Sequence, residues 1–361
     1  MKILCLTPIN TKTKTPETGF AELLTKQGHQ VIIQYTGYDT SVTQIDRRVL
    51  SNRPDIIWAM MEYSLPTALI YKALLNIPIY GHIECIPPWR TGAEPIEDYG
   101  YDYQNKDTDI KNPKYYKSFY KDLINCFMGC DSRTISAEAW RPSFKYVTGI
   151  PIDADVRNWT YDAPSMEKHK IAEPKQKNQI CSIARFNPIK RIHHVIIALS
   201  KIPKEIRPTY ALIGYGPEQA YLMNLSNKLD VKVKFLGSGL KGLKEKTIQE
   251  SMFMVQIFSA MPIIEAAYYG IPSISYNTPV NKEVFEDMVY WTECNTDDLA
   301  DKIKNFIMDK KLREEYGAKA KDSLMNGKAN VLNNEQFIEK VEKQLEKARC
   351  NFDNSNMRHK K

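Results

Sequence analysis

Two cations in the second half of the chain have a type and spacing that could bind an anion. Arg185 and Lys190 follow an apolar run, 179–184, that predicts a buried strand. Cations close to a phosphate offset its negative charge, above all where that charge grows as a bond breaks. Lys190 or Arg191 alone would be an ordinary solvated charge. Arg185 and Lys190 together have the charge to bind an anion such as a phosphate.

A carboxylate, Glu265, lies in a segment that predicts a loop, a short helix and a strand. Pro262 fits a first helical turn, because the N–H groups of that turn have no partner within the helix. Gly270 fits the left-handed residue that ends a helix, and Ser273–Tyr276 predicts a buried strand. The helix dipole favours a carboxylate in the first turn, so Glu265 has a structural explanation beside a functional one.

The composition limits the classes of protein to consider. A chain of 361 residues predicts about two domains, and 43% apolar residues allow each to form a core. No apolar run approaches the ~20 residues of a membrane helix. The net charge of +7 favours anionic partners such as nucleotide diphosphates, an acidic glycan or an anionic membrane face. The basic residues are spread along the chain without a nucleic-acid-binding signature, which argues against nucleic acid.

The seven cysteines are odd in number and scattered. Cys126 and Cys130 have no second pair and no histidine cluster nearby, so the spacing argues against zinc. Reduced thiols in a cytosolic protein are the simpler interpretation.

The first half alternates short apolar runs with amphipathic stretches, which predicts βαβ units and a parallel sheet. A helix that contains Gly19 follows the first strand and ends at Gly28. The strands are predicted at Lys2–Leu6, Gln30–Tyr35, Ile56–Met60, Ile77–His82 and Lys145–Val147.

Two features of this half have both a structural and a functional interpretation. His82 would end a strand, where open α/β sheets bind ligands, although a lone histidine is equally well explained as structural. Residues 84–122 are rich in Tyr and Trp with interleaved Lys and Arg. They could contact sugar rings or a membrane surface, or pack as a long loop over the first sheet.

Three motifs together resemble a known family. They are Ser182-Ile183-Ala184-Arg185 continuing to Lys190, Gly214-Tyr215-Gly216-Pro217, and Pro262-x-x-Glu265-Ala266-x-x-x-Gly270-x-Pro272. Their order and spacing resemble the C-terminal half of a family 4 glycosyltransferase. With weaker matches in the N-terminal half, the resemblance covers about residues 1–325. The resemblance implies an α/β fold of the GT-B type, two Rossmann-like domains facing across a cleft, and transfer with retention. As a dinucleotide fingerprint, Gly-x-Gly lacks its third glycine and a downstream acid.

The resemblance also implies domain limits. Residues 1–165 would form a Rossmann-like acceptor-side domain and residues 166–325 a Rossmann-like nucleotide-sugar domain. Residues 326–350 would form a helix packing back on the first domain, and 351–361 a flexible tail.

The resemblance assigns a role to each matching residue. Arg185 and Lys190 would grip the donor diphosphate, His82 would lie near the donor sugar, and Glu265 would bind the ribose hydroxyls. The other implied donor contacts are backbone or strand-end positions: Gly19, Gly214, Gly216, Leu236 and Met261.

One departure from the family lies at the centre of the site. The family has two glutamates eight positions apart with a Gly-Phe-Gly loop between them, and eight positions before Glu265 stands Ile257. The first glutamate and the glycine-rich loop, which hold the donor sugar, are absent from Phe258–Met261. Binding of nucleotide and diphosphate is therefore expected, while turnover is open.

The expected function is metal-independent and cofactor-independent transfer of a sugar from a nucleoside diphosphate sugar to a hydroxyl acceptor, such as a glycan or lipid-linked glycan. The expected location is the cytoplasm or the inner face of a membrane. One alternative is a GT-B protein that binds nucleotide or glycan as a partner subunit without efficient transfer. Another is a nucleotide-sugar epimerase, which would need further carboxylates.

Overall fold

A computed structural model describes most of the chain. The predicted strand at 145–147 lies outside the described residues except for Lys145, which is helical, and the aromatic segment 85–112 also lies outside them. The described residues are 1–9, 16–37, 44–84, 113–141, 145, 149–156, 158–238, 242–258 and 261–358. They form two compact units, the first up to Asn158 and from Asn334 onward, the second from Trp159 to Asn333.

The first unit contains a six-stranded parallel sheet in the order β2-β1-β3-β4-β5-β6. Its strands are β1 Lys2–Thr7, β2 Gln30–Tyr35, β3 Ile56–Ala59, β4 Ile79–Ile83, β5 Ser132–Ile135 and β6 Asp155–Val156. Its helices up to Asn158 are α1 Pro16–Lys26, α2 Arg47–Asn52, α3 Leu65–Leu75 and α4 Pro113–Met128.

Continuous burial explains the central strands of this sheet. Residues 3–6 of β1 are fully buried, as expected for a parallel strand covered on both faces. Strand β2 has the predicted limits. Strand β4 begins at Ile79 instead of Ile77, because Pro78 has no N–H and contributes only its carbonyl, which accepts from Ile57 N at 3.0 Å. Gly28 ends the turn after α1 at φ +88°, as predicted.

The second unit contains another six-stranded parallel sheet, in the order β10-β9-β8-β11-β12-β13, and a two-stranded sheet of β14 with β7. Its strands are β7 Trp159–Tyr161, β8 Gln179–Ile183, β9 Thr209–Ile213, β10 Val233–Phe235, β11 Phe253–Val255, β12 Ser273–Tyr276, β13 Val289–Thr292 and β14 Val331–Asn333. Its helices are α5 Ala163–Lys168, α6 Ile192–Ser200, α7 Gln219–Lys228, α8 Leu243–Glu250, α9 Met261–Tyr268, α10 Pro279–Phe285, α11 Thr296–Met308 and α12 Lys310–Met325.

The core of the second unit fixes the centre of its sheet. Ile180 and Leu212 from neighbouring strands are fully buried with Val195 of α6, and Phe253 of β11 packs edge-on against Phe306 of α11 with ring centroids 5.3 Å apart. Burying side chains of this size contributes about 1.5–3 kcal/mol each relative to exposure. The central strands are therefore rigid supports for the loops that follow them.

The last helix, α13 Asn334–Arg358, belongs to the first unit. Phe337 packs against Phe20 with ring centroids 4.8 Å apart. The helix runs on to Arg358, through much of the segment predicted as a flexible tail. Asn351 helps hold this extension, because its Nδ2 donates to the carbonyl of Asp131 at 2.7 Å.

None of the helices in the described part of the chain has the length and apolar character needed to cross a membrane.

Gly317 provides a test of how closely α12 packs. A Cβ atom at this helical glycine would lie 2.2 Å from the carbonyl oxygen of Gly270, at the turn between α9 and β12. Gly317→Ala should therefore lower the free energy of unfolding by about 1–3 kcal/mol, despite the better helix propensity of alanine. Thermal or urea unfolding measures this. Gly19→Ala is the matched control, because a Cβ there meets nothing within 4 Å. Equal stability of the two variants would contradict the close approach.

Candidate functional site

The candidate site lies at one edge of the sheet in the second unit. Arg185, Gly214 and Leu236 each follow one of the adjacent parallel strands β8, β9 and β10. The carboxyl ends of parallel strands lie at the same edge, where open α/β sheets bind ligands. Helix α9 follows the next strand, β11, and begins at Met261. The sheet thus collects residues far apart in sequence at one edge.

Two glycines let the loops after β8 and β9 approach closely. A Cβ at Gly214 would lie 1.8 Å from the carbonyl oxygen of Ala184, and Gly214 has φ +139°. A Cβ at Gly216 would lie 2.6 Å from the carbonyl oxygen of Phe186. Between them, the carbonyl of Tyr215 accepts a hydrogen bond from Phe186 N at 2.9 Å. Only glycine fits these contacts, which lock the Gly-x-Gly turn against the segment that carries Arg185.

The predicted basic pair lies in this segment. Arg185 is exposed, and Lys190 ends a short 3₁₀ turn, Pro188–Lys190. The ammonium of Lys190 lies 4.4 Å from the centroid of the Phe258 ring, a cation–π distance. Phe258 follows β11. The contact joins the loops after β8 and β11 and holds a positive charge at the carboxyl edge of the sheet.

Glu265 lies in the second turn of α9, not in the first, because the helix begins before Pro262, at Met261. The dipole explanation offered by the sequence therefore weakens, since that effect is confined to the first turn. The end of the segment agrees with the prediction: Gly270 has φ +73°, and β12 spans Ser273–Tyr276.

The carboxylate of Glu265 forms an ion pair with Lys244. Lys244 Nζ donates to Glu265 Oε1 at 2.6 Å, and the Glu265 side chain is 12% exposed. Burial lowers the pKa of Lys244, but the charge and hydrogen bond of Glu265, with a smaller contribution from Glu245, outweigh it, so the pKa of Lys244 lies above its ordinary 10.5. Lys244 is therefore a fixed cation at neutral pH.

The position eight residues before Glu265 belongs to the core. Ile257 is 3% exposed, and its carbonyl accepts hydrogen bonds from Asn281 Nδ2 at 3.1 Å and Ser275 Oγ at 3.2 Å. The site therefore has no charged side chain at this position.

Two predicted site residues, His82 and Gly19, lie in the first unit. His82 on β4 is 0% exposed, and its Nδ1 lies 2.9 Å from Thr134 Oγ1 on β5. Its Nε2 lies 3.4 Å from Ser136 Oγ. Gly19 lies within α1, with open space where its side chain would be. Contact of either residue with a donor stays a prediction.

Two histidines just beyond the basic pair are neutral at physiological pH. Burial, and then the charge of Arg191, lower the pKa of His193 to about 4. Burial is also the main cause that lowers the pKa of His194 to about 3, and its Nδ1 lies 2.7 Å from the hydroxyl of Tyr276. These rings add no positive charge beside Lys190.

Within the residues that the structure describes, no group of three or more His, Cys, Asp or Glu side chains could hold a metal ion. Independence of metals and cofactors stays a prediction about the reaction.

Sequence reasoning missed two residues of the site, Lys244 and Phe258. Lys244 is the second residue of α8, after Leu243, and its local sequence resembles an ordinary exposed helix start. Phe258 lies in the segment where the family resemblance indicated only that a glycine-rich loop is absent, so it assigned no role to this residue. Both act through tertiary contacts, with Glu265 and Lys190, which no local pattern reveals.

Comparisons with known proteins place the site within a family match. Residues 165–323 match the family model described as "Glycosyl transferases group 1". A curated relative, N-acetyl-alpha-D-glucosaminyl L-malate synthase of Bacillus anthracis, is 27% identical over 155 residues. The match covers 39% of this chain and 39% of that relative, so the chain aligns with about two fifths of the relative's length.

Similar solved structures cover nearly the whole chain. Anabaena Alr3699/HepE in complex with UDP-glucose has a TM-score of 0.72 at 16% identity, covering 96% of this chain and 99% of that one. A glycosyltransferase of Rickettsia africae has a TM-score of 0.67 at 14% identity, covering 96% and 98%. With the two parallel sheets, this likeness shows the GT-B fold with two Rossmann-like domains.

The lowered pKa of the half-buried His193 predicts that the second unit loses stability in acid. Unfolding restores the pKa of His193 from about 4 to 6.5. Below pH 6.5 the unfolded chain therefore binds more protons than the folded chain, and the free energy of unfolding falls as the pH is lowered. His193→Phe should reduce the loss of unfolding free energy between pH 6.5 and 4 by at most about 3 kcal/mol. Urea unfolding across this range tests it. His169→Phe, at a partly exposed histidine of the same unit, is the control. The same pH dependence in wild type and His193→Phe would contradict the assignment.

Proposed function

We propose that this protein transfers a sugar from a nucleoside diphosphate sugar to a hydroxyl acceptor with retention, as a family 4 glycosyltransferase and without a metal ion. One observation carries the proposal. Arg185, Lys190 and Glu265 lie in loops and a helix at the carboxyl edge of one parallel sheet, within the segment 165–323 that matches glycosyl transferases group 1.

The charges of the site suit a leaving nucleoside diphosphate. Arg185 and Lys190 offset the negative charge that grows on the diphosphate as the glycosidic bond breaks. The ring of Phe258 keeps the ammonium of Lys190 in place. The Gly214–Gly216 turn, held against the β8 loop, brings backbone rather than side chain close to the nucleotide.

The remaining predicted contacts complete the donor site. Glu265 accepts hydrogen bonds from ribose hydroxyls, Leu236 lies at the strand end next to the base, and the N–H of Met261 faces an anionic group. From the family resemblance we also expect Gly19 to contact the donor and His82 to lie near the donor sugar. UDP-sugars are the first donors to test, because Anabaena HepE binds UDP-glucose.

The acceptor carries a hydroxyl group and belongs to the glycans or lipid-linked glycans. The net charge of +7 favours work at an anionic surface, such as the cytoplasmic face of a membrane.

A second candidate function, binding without efficient transfer, is favoured by the segment after β11, which lacks the first glutamate of the family motif. Five residues, 256–260, separate β11 from α9, and the position eight residues before Glu265 is the buried Ile257. A protein with this segment would bind the nucleotide without the usual contacts to the donor sugar, as expected for a partner subunit.

Nucleotide binding tests the proposal first. Titration calorimetry with UDP, GDP and ADP should show one preferred base. Arg185→Ala and Glu265→Ala should each weaken binding about tenfold or more, because each removes a charge-assisted hydrogen bond. Lys232→Ala is the matched control, since this exposed cation lies before the amino end of β10, at the opposite edge of the same sheet. Wild-type affinity in the Arg185 and Glu265 variants would contradict the proposed site.

Transfer assays then separate the candidate functions. A transferase releases nucleoside diphosphate in proportion to acceptor, whereas release without any acceptor indicates an epimerase-like reaction. Tight binding of UDP with no turnover of any nucleotide sugar tested would leave the partner-subunit function.

A further inference from the structure

The two oxygens of Glu265 have different surroundings. Oε1 accepts a hydrogen bond from Lys244 Nζ at 2.6 Å. Oε2 is buried and has no hydrogen-bond partner within the described part of the chain. An unpaired buried carboxylate oxygen lowers stability, so native structures rarely keep one without a reason.

Lys244 reaches Glu265 from a different helix. It lies in the first turn of α8, which follows the left-handed Gly242 at φ +77°, whereas Glu265 lies in α9. The side chain of Lys244 is 37% exposed, and its ammonium also lies 3.8 Å from Glu245 Oε1. The ion pair therefore depends on the packing of α8 against α9.

This geometry orients the carboxylate. The Lys244 ammonium occupies Oε1 and so fixes the orientation of the group. With Oε1 held by Lys244, Oε2 is the oxygen of this carboxylate that remains for a further donor.

We propose that Lys244 is a positioning residue for nucleotide binding: it holds Oε1 of Glu265 so that Oε2 accepts a hydroxyl group of the nucleotide's ribose. This inference rests on the proposed function, because it takes the ribose of a nucleoside diphosphate as the ligand of Glu265. It adds that recognition of the ribose depends on a lysine that does not touch the ligand.

The competing explanation is that the ion pair only joins α8 to α9. In that case, loss of Lys244 lowers stability and leaves ribose recognition intact. The two explanations differ in a quantity that stability does not affect, the ratio of the affinities for UDP and for 2′,3′-dideoxy-UDP, which lacks both ribose hydroxyls.

Calorimetric titrations of the full-length protein with UDP and 2′,3′-dideoxy-UDP measure this ratio. Wild type should prefer UDP, and Lys244→Met should reduce that preference about tenfold while its affinity for dideoxy-UDP stays unchanged, since a hydrogen bond to a charged group is worth about this factor or more. Lys244→Arg keeps a cation at the site and should retain part of the preference. Lys246→Met is the matched control, because Lys246 lies on the same helix with a 61% exposed side chain.

Melting temperatures of all variants show whether each is folded at the titration temperature. A Lys244→Met protein with the wild-type preference for UDP, whatever its melting temperature, would overturn the inference, as would equal weakening of both ligands. Should Lys244→Met fail to fold, Lys244→Gln replaces it, and a wild-type preference of Lys244→Gln for UDP over dideoxy-UDP would overturn the inference. The inference would also be overturned if the control Lys246→Met lost more of this preference than Lys244→Arg. If wild type binds no nucleotide at all, the proposed function fails together with the inference, an outcome distinct from failure of the inference alone.

Discussion

The contact between the Gly214–Gly216 turn and the segment after β8 is the constraint on which the site depends. The backbone of Ala184 and Phe186 lies so close to this turn that a single Cβ would collide with it. Because the two loops hold each other, Arg185 extends from a rigid backbone. Preorganised charges of this kind stabilise a developing anion without reorganisation during the reaction.

Much of this arrangement could be predicted from local sequence. Proline and glycine, with their restricted and permissive backbones, predicted the helix at Pro262 and its end at Gly270, and the apolar run predicted Ser273–Tyr276. The glycines at 214 and 216 were recognised through the family resemblance. Their physical reason, the approach of Ala184 and Phe186, required the register of β8 and β9 in three dimensions.

The rest could not be predicted because it depends on contacts between distant elements. Lys244 lies near Glu265 only once α8 and α9 pack, and Lys190 meets Phe258 only once β8 pairs with β11. The start of α9 at Met261 also moved Glu265 out of the first turn, where a local dipole argument had placed it. The extension of the last helix to Arg358 depends on its contacts with the first unit, which a polar sequence does not indicate.

In the proposed function, nucleotide binding and sugar transfer depend on different parts of the site. The groups proposed to bind a diphosphate and a ribose are charged and lie near the strand ends, whereas the position eight residues before Glu265 is the core residue Ile257, whose carbonyl accepts a hydrogen bond from Asn281. The affinity for the nucleotide therefore does not by itself predict how well the reacting sugar is stabilised.

Hydrogen exchange with and without UDP, read by mass spectrometry, tests the central claim most directly. If the carboxyl edge of the second sheet holds the nucleotide, UDP should slow exchange in segments 185–190, 212–218 and 261–266 and leave segment 228–233, at the amino end of β10, unchanged. Protection confined to other segments, or none at saturating UDP, would contradict the claim that Arg185, Lys190 and Glu265 form a nucleotide site.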